Sequence, residues 1–224
     1  MPTYKAYQFG TCISLTEVQL NQLIGFFSQP PAVLGAVLSG RNSAGHHQLE
    51  PFGAVVVKHY KRGGLLGRLV RDRYLKWRKS RSQLEFEFLQ KARELGINAP
   101  QPLLFASRGR LIYRAWLVTS EIKKPLSLAR LSLDDELRTR QVMASVIEQI
   151  SRLMDNRIMH VDLHPGNVVV DSQDQVFLLD FDKGKIHRGN KIKLRDRYIK
   201  RWQRAVSKHG LPEYLTEMLR SGLK

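Results

Sequence analysis

Three polar side chains flank two short apolar runs in the stretch MHVDLHPGNVVVDSQDQVFLLDFDKG, which extends from Met159 to Gly184. Asp162 and Asn167 precede the first run, and Asp180 follows the second. The turn residues DSQDQ between the runs predict a tight hairpin. A loop followed by such a hairpin can bring all three side chains to one edge, and the alternative is that they only cap turns.

The chemistry of these side chains suits phosphoryl transfer. That reaction requires a carboxylate to accept the proton of the attacking hydroxyl, and oxygen ligands that hold Mg²⁺ against the phosphates of ATP. Two histidines lie in the same loop. We expect His160 to pack and to form hydrogen bonds, whereas His164 either does the same or approaches the phosphates.

Elements upstream of this loop fit a nucleotide site. Lys58 follows a β-branched run and could reach nucleotide phosphates, and Glu87 on the next predicted helix could be its ion-pair partner. Before them, SGRNSAG at Ser39–Gly45 predicts a glycine-containing turn whose backbone amides could cover phosphates. The order glycine turn, strand lysine, helix glutamate, Asp-x-x-x-x-Asn loop and Asp-Phe-Asp matches the signature set of protein-kinase-like enzymes.

Hydrophobic periodicity predicts strands mainly before helices along the chain. The predicted strands are Gly53–Tyr60, a hairpin within Pro102–Ser120, Val168–Val170 and Val176–Leu179. The predicted helices are Leu66–Trp77, Ser82–Leu95, Ser127–Met154 with a break near Asp134, and Lys191–Leu223 with a break at Gly210–Pro212. We therefore predict an α+β, protein-kinase-like bilobal fold, with a small β-rich nucleotide-binding lobe at residues 1–120 and a helical catalytic lobe with a basic tail at residues 121–224.

The net charge of +17, from 37 basic and 20 acidic residues, is concentrated in two stretches. Lys58–Arg81 holds ten Lys/Arg and one acidic residue, and Lys183–Lys208 holds eleven and one. The aromatic rings among these charges are Tyr74, Trp77, Tyr198 and Trp202. This composition favours an anionic membrane surface, or a substrate that carries carboxylates and phosphates, over a merely solvated face.

The expected location is the cytoplasm. No run of about 18 uncharged apolar residues predicts a membrane-spanning helix. The N-terminus MPTYKAYQFGTCISL lacks the basic start and long apolar core of a secretory signal, and the single cysteine suits a reducing compartment.

Three segments resemble the lipopolysaccharide-core kinases of the protein-kinase-like superfamily, and in particular the members that act on 3-deoxy-D-manno-octulosonic acid (Kdo). These segments are VVVKHYKRGGLLGRLVRDRYLKW, FEFLQKARELGINAPQP and VDLHPGNVVVDSQDQVFLLDFDKG, and the similarity covers about Val55–Gly184. The resemblance implies ATP-dependent phosphorylation of a hydroxyl of Kdo attached to lipid A, with ATP and Mg²⁺. It also implies a peripheral position at the cytoplasmic face of the bacterial inner membrane.

The resemblance also implies a role for each matching residue. Asp162 would be the catalytic base, and Asn167 and Asp180 would be the metal ligands. Lys58 would bind phosphates while paired with Glu87.

The remaining positions are less well matched. Glu85 is the rival of Glu87, which alone fits the FEF match to the family. Gly40 and Gly45 would belong to the phosphate-covering turn, although SGRNSAG does not fit G-x-G-x-x-G. The hinge from Thr119 to Ile122 would meet adenine with its backbone.

Other functions stay open at this point. DLHPGN resembles small-molecule kinases of the aminoglycoside-phosphotransferase type, which argues against a protein as the acceptor. A heptose, another small hydroxyl compound or a protein remains the alternative acceptor. A catalytically silent fold that binds anionic lipid or nucleic acid is the other class, and nucleic acid ranks lower because no helix-turn-helix, zinc or RNA-binding signature accompanies the basic residues.

Overall fold

The structure, a computed structural model, describes residues 2–29, 43–60, 74–75, 79–110 and 112–223. Within these ranges it contains one large antiparallel sheet, two small sheets and helices, so the predicted α+β class is confirmed. No helix in the described part of the chain is both long enough and apolar enough to span a membrane.

The chain divides into two compact units, which are described separately. The first comprises the described residues up to Gln90 and Gln101–Glu121, and the second comprises Lys91–Pro100 and Ile122–Lys224. The lobe boundary at residues 120 and 121 stays a prediction. One segment that it places in the first lobe, Lys91–Pro100, groups with the second unit instead.

Hydrogen bonds explain that grouping. The backbone N–H of Asn98 donates to the side-chain oxygen of Gln149 at 2.7 Å. The carbonyl of Asn98 accepts from the backbone N–H of Leu178 at 2.9 Å. Backbone groups that leave water need such partners, so these two bonds hold Asn98 in the second unit.

The first unit is built on a seven-stranded sheet. Its strands are β1 (Thr3–Tyr4), β2 (Tyr7–Thr11), β3 (Ser43–Leu49), β4 (Gly53–His59), β5 (Tyr74–Leu75), β6 (Pro102–Arg108) and β7 (Ile112–Ser120). The order is β1-β2-β6-β7-β4-β3, with β5 also paired to β7, and every pairing is antiparallel. The β6–β7 hairpin and β4 were predicted from the sequence, and both are confirmed.

Helix α1 (Glu17–Ser28) contributes to the core of this unit. The side chains of Thr16 and Gln19 form a capping box at its N-terminus, which satisfies two backbone N–H groups. Leu23 and Phe27, one helical turn apart, are buried, and Phe27 stacks on Trp116 of β7 with ring centroids 4.9 Å apart. Each of these buried side chains contributes about 2 kcal/mol by leaving water.

Helix α2 (Arg81–Glu94) has a rotation that two contacts fix. The hydroxyl of Ser82 donates to the carbonyl of Ala106 in β6 at 3.2 Å. The ring of Phe86 meets that of Phe105 edge to face, with centroids 5.1 Å apart. The buried face of the helix is therefore Ser82, Glu85, Phe86, Leu89 and Ala92.

The second unit is mainly helical. Its helices are α3 (Leu128–Asp134), α4 (Glu136–Asp155), α5 (Lys191–Lys208) and α6 (Tyr214–Gly222). Its strands are β8 (Leu126–Ser127), β9 (Ile158–Met159), β10 (Val168–Val170), β11 (Val176–Leu178) and β12 (Lys185–Ile186), with a 3-10 turn at Pro165–Asn167. The strands pair as β11-β10-β8 and as β12-β9.

Helix α4 shows why this segment folds as predicted. The carboxylate of Asp135 accepts from the backbone N–H of Arg138 and caps the first turn, which accounts for the break expected near Asp134. Apolar side chains then recur every three or four residues and are buried. They are Val142, Met143, Val146, Ile150, Leu153 and Met154. The helix ends at Asn156, whose side-chain amide donates to the carbonyl of Arg152.

One predicted helix differs from the structure. Tyr74 and Leu75, placed by their spacing on a helix through Leu66–Trp77, form strand β5 and pair with Tyr113 and Ile112 of β7. The rest of that prediction lies outside the described residues. A two-residue edge pairing is invisible to periodicity, because the partner strand decides it.

Candidate active site

The loop that carries Asp162 is closed by its own side chains. It leaves β9, passes the 3-10 turn and enters β10. The side-chain amide nitrogen of Asn167 donates to the carbonyl of Asp162 at 2.8 Å. Because the nitrogen makes this bond, the amide is oriented and its oxygen remains the atom suited to a metal ion. The structure therefore brings together two of the predicted site residues.

Asp180 reaches the same loop through its neighbour Leu179. The backbone N–H of Leu179 donates to the carbonyl of Asn167 at 2.8 Å, and the carbonyl of Leu179 accepts from Nε2 of His160 at 2.7 Å. Asp180 itself has φ +62°, in the left-handed region that non-glycine residues rarely adopt. Such strain persists where surrounding contacts impose it, and it is frequent at functional sites.

His160 has the packing and hydrogen-bonding role that was expected. Its ring is buried and meets Phe181 edge to face at 4.6 Å between centroids. Burial lowers its pKa, and this outweighs the opposing effects of the Leu179 hydrogen bond and of the Asp180 and Asp162 charges. The imidazole is therefore neutral at pH 7, with the proton on Nε2 because that atom donates to a carbonyl.

The buried His160 makes stability depend on pH. The pKa of His160 is lower in the folded state than the ordinary value of 6.5. Its contribution to the free energy of unfolding is therefore complete above pH 6.5 and is lost as the pH falls toward the pKa of the folded state. The slope for one proton reaches about 1.4 kcal/mol per pH unit. Denaturant unfolding between pH 5 and 7 is expected to show a smaller slope for His160→Gln, since glutamine can still donate to Leu179 but does not titrate.

His209→Gln is the matched control for that measurement, because His209 is exposed at the end of α5. It should keep the slope of the wild-type protein. An unchanged slope in His160→Gln would show that other groups produce the acid sensitivity.

His164 acts in the local structure of the loop. Its Nδ1 accepts from the backbone N–H of Gly166 at 3.1 Å and caps the 3-10 turn. Burial is the main cause of its lowered pKa, and the charge of Arg201 adds to this effect against the opposing charge of Asp162. An approach of His164 to phosphates stays a prediction.

The carboxylate of Asp162 has a partner that sequence reasoning missed. Nη2 of Arg201, in α5, donates to Oδ1 of Asp162 in an ion pair. The two residues are 39 positions apart, and Arg201 is one of many basic residues in its stretch, so no local pattern marks it. A guanidinium thus lies directly at the predicted base.

Lys58 forms an ion pair with Glu85, and the prediction that it pairs with Glu87 is wrong. Nζ of Lys58 contacts both carboxylate oxygens of Glu85 at 2.8 Å, and the hydroxyl of Tyr60 donates to the same carboxylate. Glu85 is buried with 2% exposure, whereas Glu87 pairs with Lys79 at 2.7 Å on the exposed side of α2. The reason is the rotation of α2, because a step of two residues turns the side chain by about 200°.

Of the two glycines that were predicted to cover phosphates, Gly40 and Gly45, the described residues include Gly45. Gly45 lies in β3 opposite Val57, next to the pair Ala44 and Lys58, so its placement in a turn is wrong. The strand pairing of β3 with β4 extends back to Ser43 and takes Gly45 into the sheet. Gly40 lies outside the described residues.

The predicted hinge from Thr119 to Ile122 begins within the last two residues of β7 and continues past the end of that strand. Thr119 pairs with Val56, and the backbone N–H of Glu121 donates to the carbonyl of Ala54 at 3.0 Å. Ile122 is the first residue of the second unit in this part of the chain and is half-buried. Its contact with adenine stays a prediction.

The second basic stretch is an amphipathic helix with two distinct faces. The exposed cations of α5 are Lys191, Lys193, Arg197, Lys200, Arg204 and Lys208. Tyr198 and Trp202 are buried, with 3% and 0% exposure, so the prediction that these rings accompany the surface charges is wrong. The first basic stretch lies largely outside the described residues.

Comparison with known proteins gives a consistent result. Residues 38–220 match the model of the lipopolysaccharide kinase (Kdo/WaaP) family. A relative from Vibrio cholerae is 31% identical over 186 residues, which cover 82% of this chain and 77% of that protein. A Vibrio vulnificus relative is 32% identical over 148 residues, covering 65% and 62%, and one from Stenotrophomonas maltophilia is 35% identical over 162 residues, covering 70% and 64%. Each of the three carries the name 3-deoxy-D-manno-octulosonic acid kinase.

Proposed function

The chain belongs to the lipopolysaccharide kinase (Kdo/WaaP) family, and on that premise we propose that it transfers the γ-phosphoryl group of ATP to a hydroxyl of Kdo on lipid A. The observation that carries the proposal is that hydrogen bonds of Asn167 connect the loop of Asp162 with the chain next to Asp180 in the second unit. Asn167 holds the carbonyl of Asp162, and its own carbonyl holds Leu179 beside Asp180. These bonds support the proposal because they link the segments that carry the proposed base and the two proposed metal ligands.

In the proposed reaction Asp162 accepts a proton from the sugar hydroxyl. The hydroxyl oxygen forms a bond to the γ-phosphorus of ATP, and the bond from that phosphorus to the β,γ-bridging oxygen breaks. The products are ADP and the sugar phosphate monoester, with the hydroxyl proton on Asp162. Lys58 is proposed to bind nucleotide phosphates, since its ion pair with the buried Glu85 holds the ammonium in place.

The residues present fit a magnesium ion. The described ranges hold no group of three or more His, Cys, Asp or Glu side chains arranged for a metal. Mg²⁺ bound with ATP, however, uses one or two protein oxygens together with phosphates and water, and the Asn167 amide oxygen and the Asp180 carboxylate are of that type. When bound, the ion would neutralise charge on the phosphates, and these two side chains would hold it.

We further propose that the enzyme works peripherally at the cytoplasmic face of the inner membrane. The support is the exposed cationic face of α5, because the helix itself contains few acidic side chains that could neutralise this charge. Each Lys or Arg near an anionic lipid surface contributes about 1 kcal/mol of attraction. This attraction would bring the protein to a lipid-linked acceptor.

Incubation of the protein with Mg-ATP and Kdo-lipid A tests the function. Mass spectrometry is expected to show the addition of one phosphate, and fragmentation should locate it on Kdo. Lipid A without Kdo is the control acceptor and should stay unmodified. Phosphate on the lipid A part, or transfer only to a heptose-containing acceptor, would contradict the proposed acceptor, and absence of any ATP turnover would contradict the kinase assignment.

A further inference from the structure

Arg201 is held in a fixed position next to Asp162. Its neighbour Trp202 is fully buried, and Tyr198, one turn earlier in α5, is buried as well. The hydroxyl of Tyr198 accepts from the backbone N–H of His160 at 2.9 Å and donates to the carbonyl of Ile158 at 2.6 Å. These hydrogen bonds attach α5 to the chain that leads into the catalytic loop. The helix thereby brings the guanidinium of Arg201 next to the carboxylate of Asp162.

The guanidinium uses only part of its bonding capacity. One nitrogen, Nη2, donates to Oδ1 of Asp162. Nε is buried and has no hydrogen-bond partner among the described residues. A guanidinium carries five N–H donors in a planar fork that matches a carboxylate, so donors remain beside the reacting centre.

A structural role alone does not account for this pair. The side chains of Arg201 and Asp162 are 38% and 39% exposed, and ion pairs with that exposure contribute little to stability. Spare N–H donors next to the proposed general base suit an acidic acceptor.

We propose that Arg201 binds the carboxylate of the acceptor sugar while it holds Asp162 toward the hydroxyl. This inference rests on the proposed function, in which the acceptor sugar Kdo is an ulosonic acid and therefore has a carboxylate. One residue then orients both partners of the proton transfer, and acidic sugars are selected over neutral ones. Arg201 is on this view a residue that determines specificity.

The test compares Kdo-lipid A with its Kdo methyl ester, which lacks the negative charge. The wild-type protein is expected to use the acid at least about tenfold more efficiently, measured as kcat/KM, since a charge-assisted bidentate contact is lost in the ester. Arg201→Gln is expected to lower kcat/KM for the acid about tenfold more than it lowers kcat/KM for the ester. The ratio of the two kcat/KM values should therefore fall to near one. Arg201→Lys, which keeps the charge but not the fork, should restore part of the ratio.

Lys193→Gln removes the same charge from an exposed position eight residues away on α5, about 12 Å along the axis. It should keep the wild-type ratio, even if it weakens attraction to the lipid. If Arg201→Gln lowers both acceptors equally and keeps the ratio, Arg201 acts only on Asp162 and the inference is overturned. If the wild-type protein phosphorylates neither acceptor, the proposed function fails first, and the inference fails with it.

Discussion

Asp162→Asn is expected to lower kcat for phosphate transfer about 10³-fold while the protein stays folded, because the amide cannot accept the proton of the sugar hydroxyl. The carbonyl of residue 162 still accepts from Asn167, and the new side-chain oxygen can still accept from Arg201. The loop should therefore keep its shape. A radiolabelled-ATP assay measures turnover, and denaturant unfolding measures the free energy of unfolding.

The matched control for that variant is Asp196→Asn. Asp196 is an exposed aspartate of α5 that lies 3.8 Å from Arg195, so the same chemical change is made away from the loop. Its turnover should equal that of the wild type. Turnover of Asp162→Asn close to the wild-type rate would remove Asp162 from the role of base, and a large loss of stability would show that the residue acts through the fold.

Glu85→Ala is expected to lower the free energy of unfolding by about 3 kcal/mol, because it leaves the ammonium of Lys58 without its carboxylate in a mostly buried place. The side chains of Lys58 and Glu85 are only 14% and 3% exposed. The Tyr60 hydroxyl loses the same acceptor. Loss of the contact with Glu85 should also lower kcat/KM for ATP about 10²-fold, since displacement of a positioning group by about 1 Å has effects of that size.

Glu87→Ala supplies the comparison on the same helix. Its ion pair with Lys79 is about half exposed on both sides, so its loss should change stability by less than about 1 kcal/mol. The ATP kinetics should stay at wild-type values. A larger effect from Glu87→Ala than from Glu85→Ala on ATP kinetics would contradict the assignment of Glu85 as the partner of Lys58.

These two glutamates show where sequence reasoning stops. Both lie in the stretch LEFEFL of one predicted helix, and their spacing does not indicate which side of the helix faces the sheet. The contacts of Ser82 with Ala106 and of Phe86 with Phe105 decide it. Such contacts join residues about 20 positions apart, so a local pattern carries no record of them.

The central loops were predictable for the opposite reason. Asp162, Asn167 and Asp180 lie within 19 residues, and the hairpin β10–β11 between them follows from two apolar runs and a turn. Local spacing therefore sufficed to predict the hairpin that brings Leu179, the neighbour of Asp180, to the loop of Asn167. Arg201 required knowledge of how α5 packs on the start of the loop, which depends on the buried Tyr198 and Trp202.

The two faces of α5 have a consequence for how such a protein can change over evolution. The buried face carries the tyrosine that bridges Ile158 and His160, whereas the exposed face carries cations with exposed contacts, such as that of Lys191 with Asp155. Substitutions on the outer face can therefore change the surface charge step by step without removing the hydrogen bonds of Tyr198. Arg201 lies at the border of the two faces and pairs with Asp162, so a substitution there changes the surface charge and a contact of the loop together.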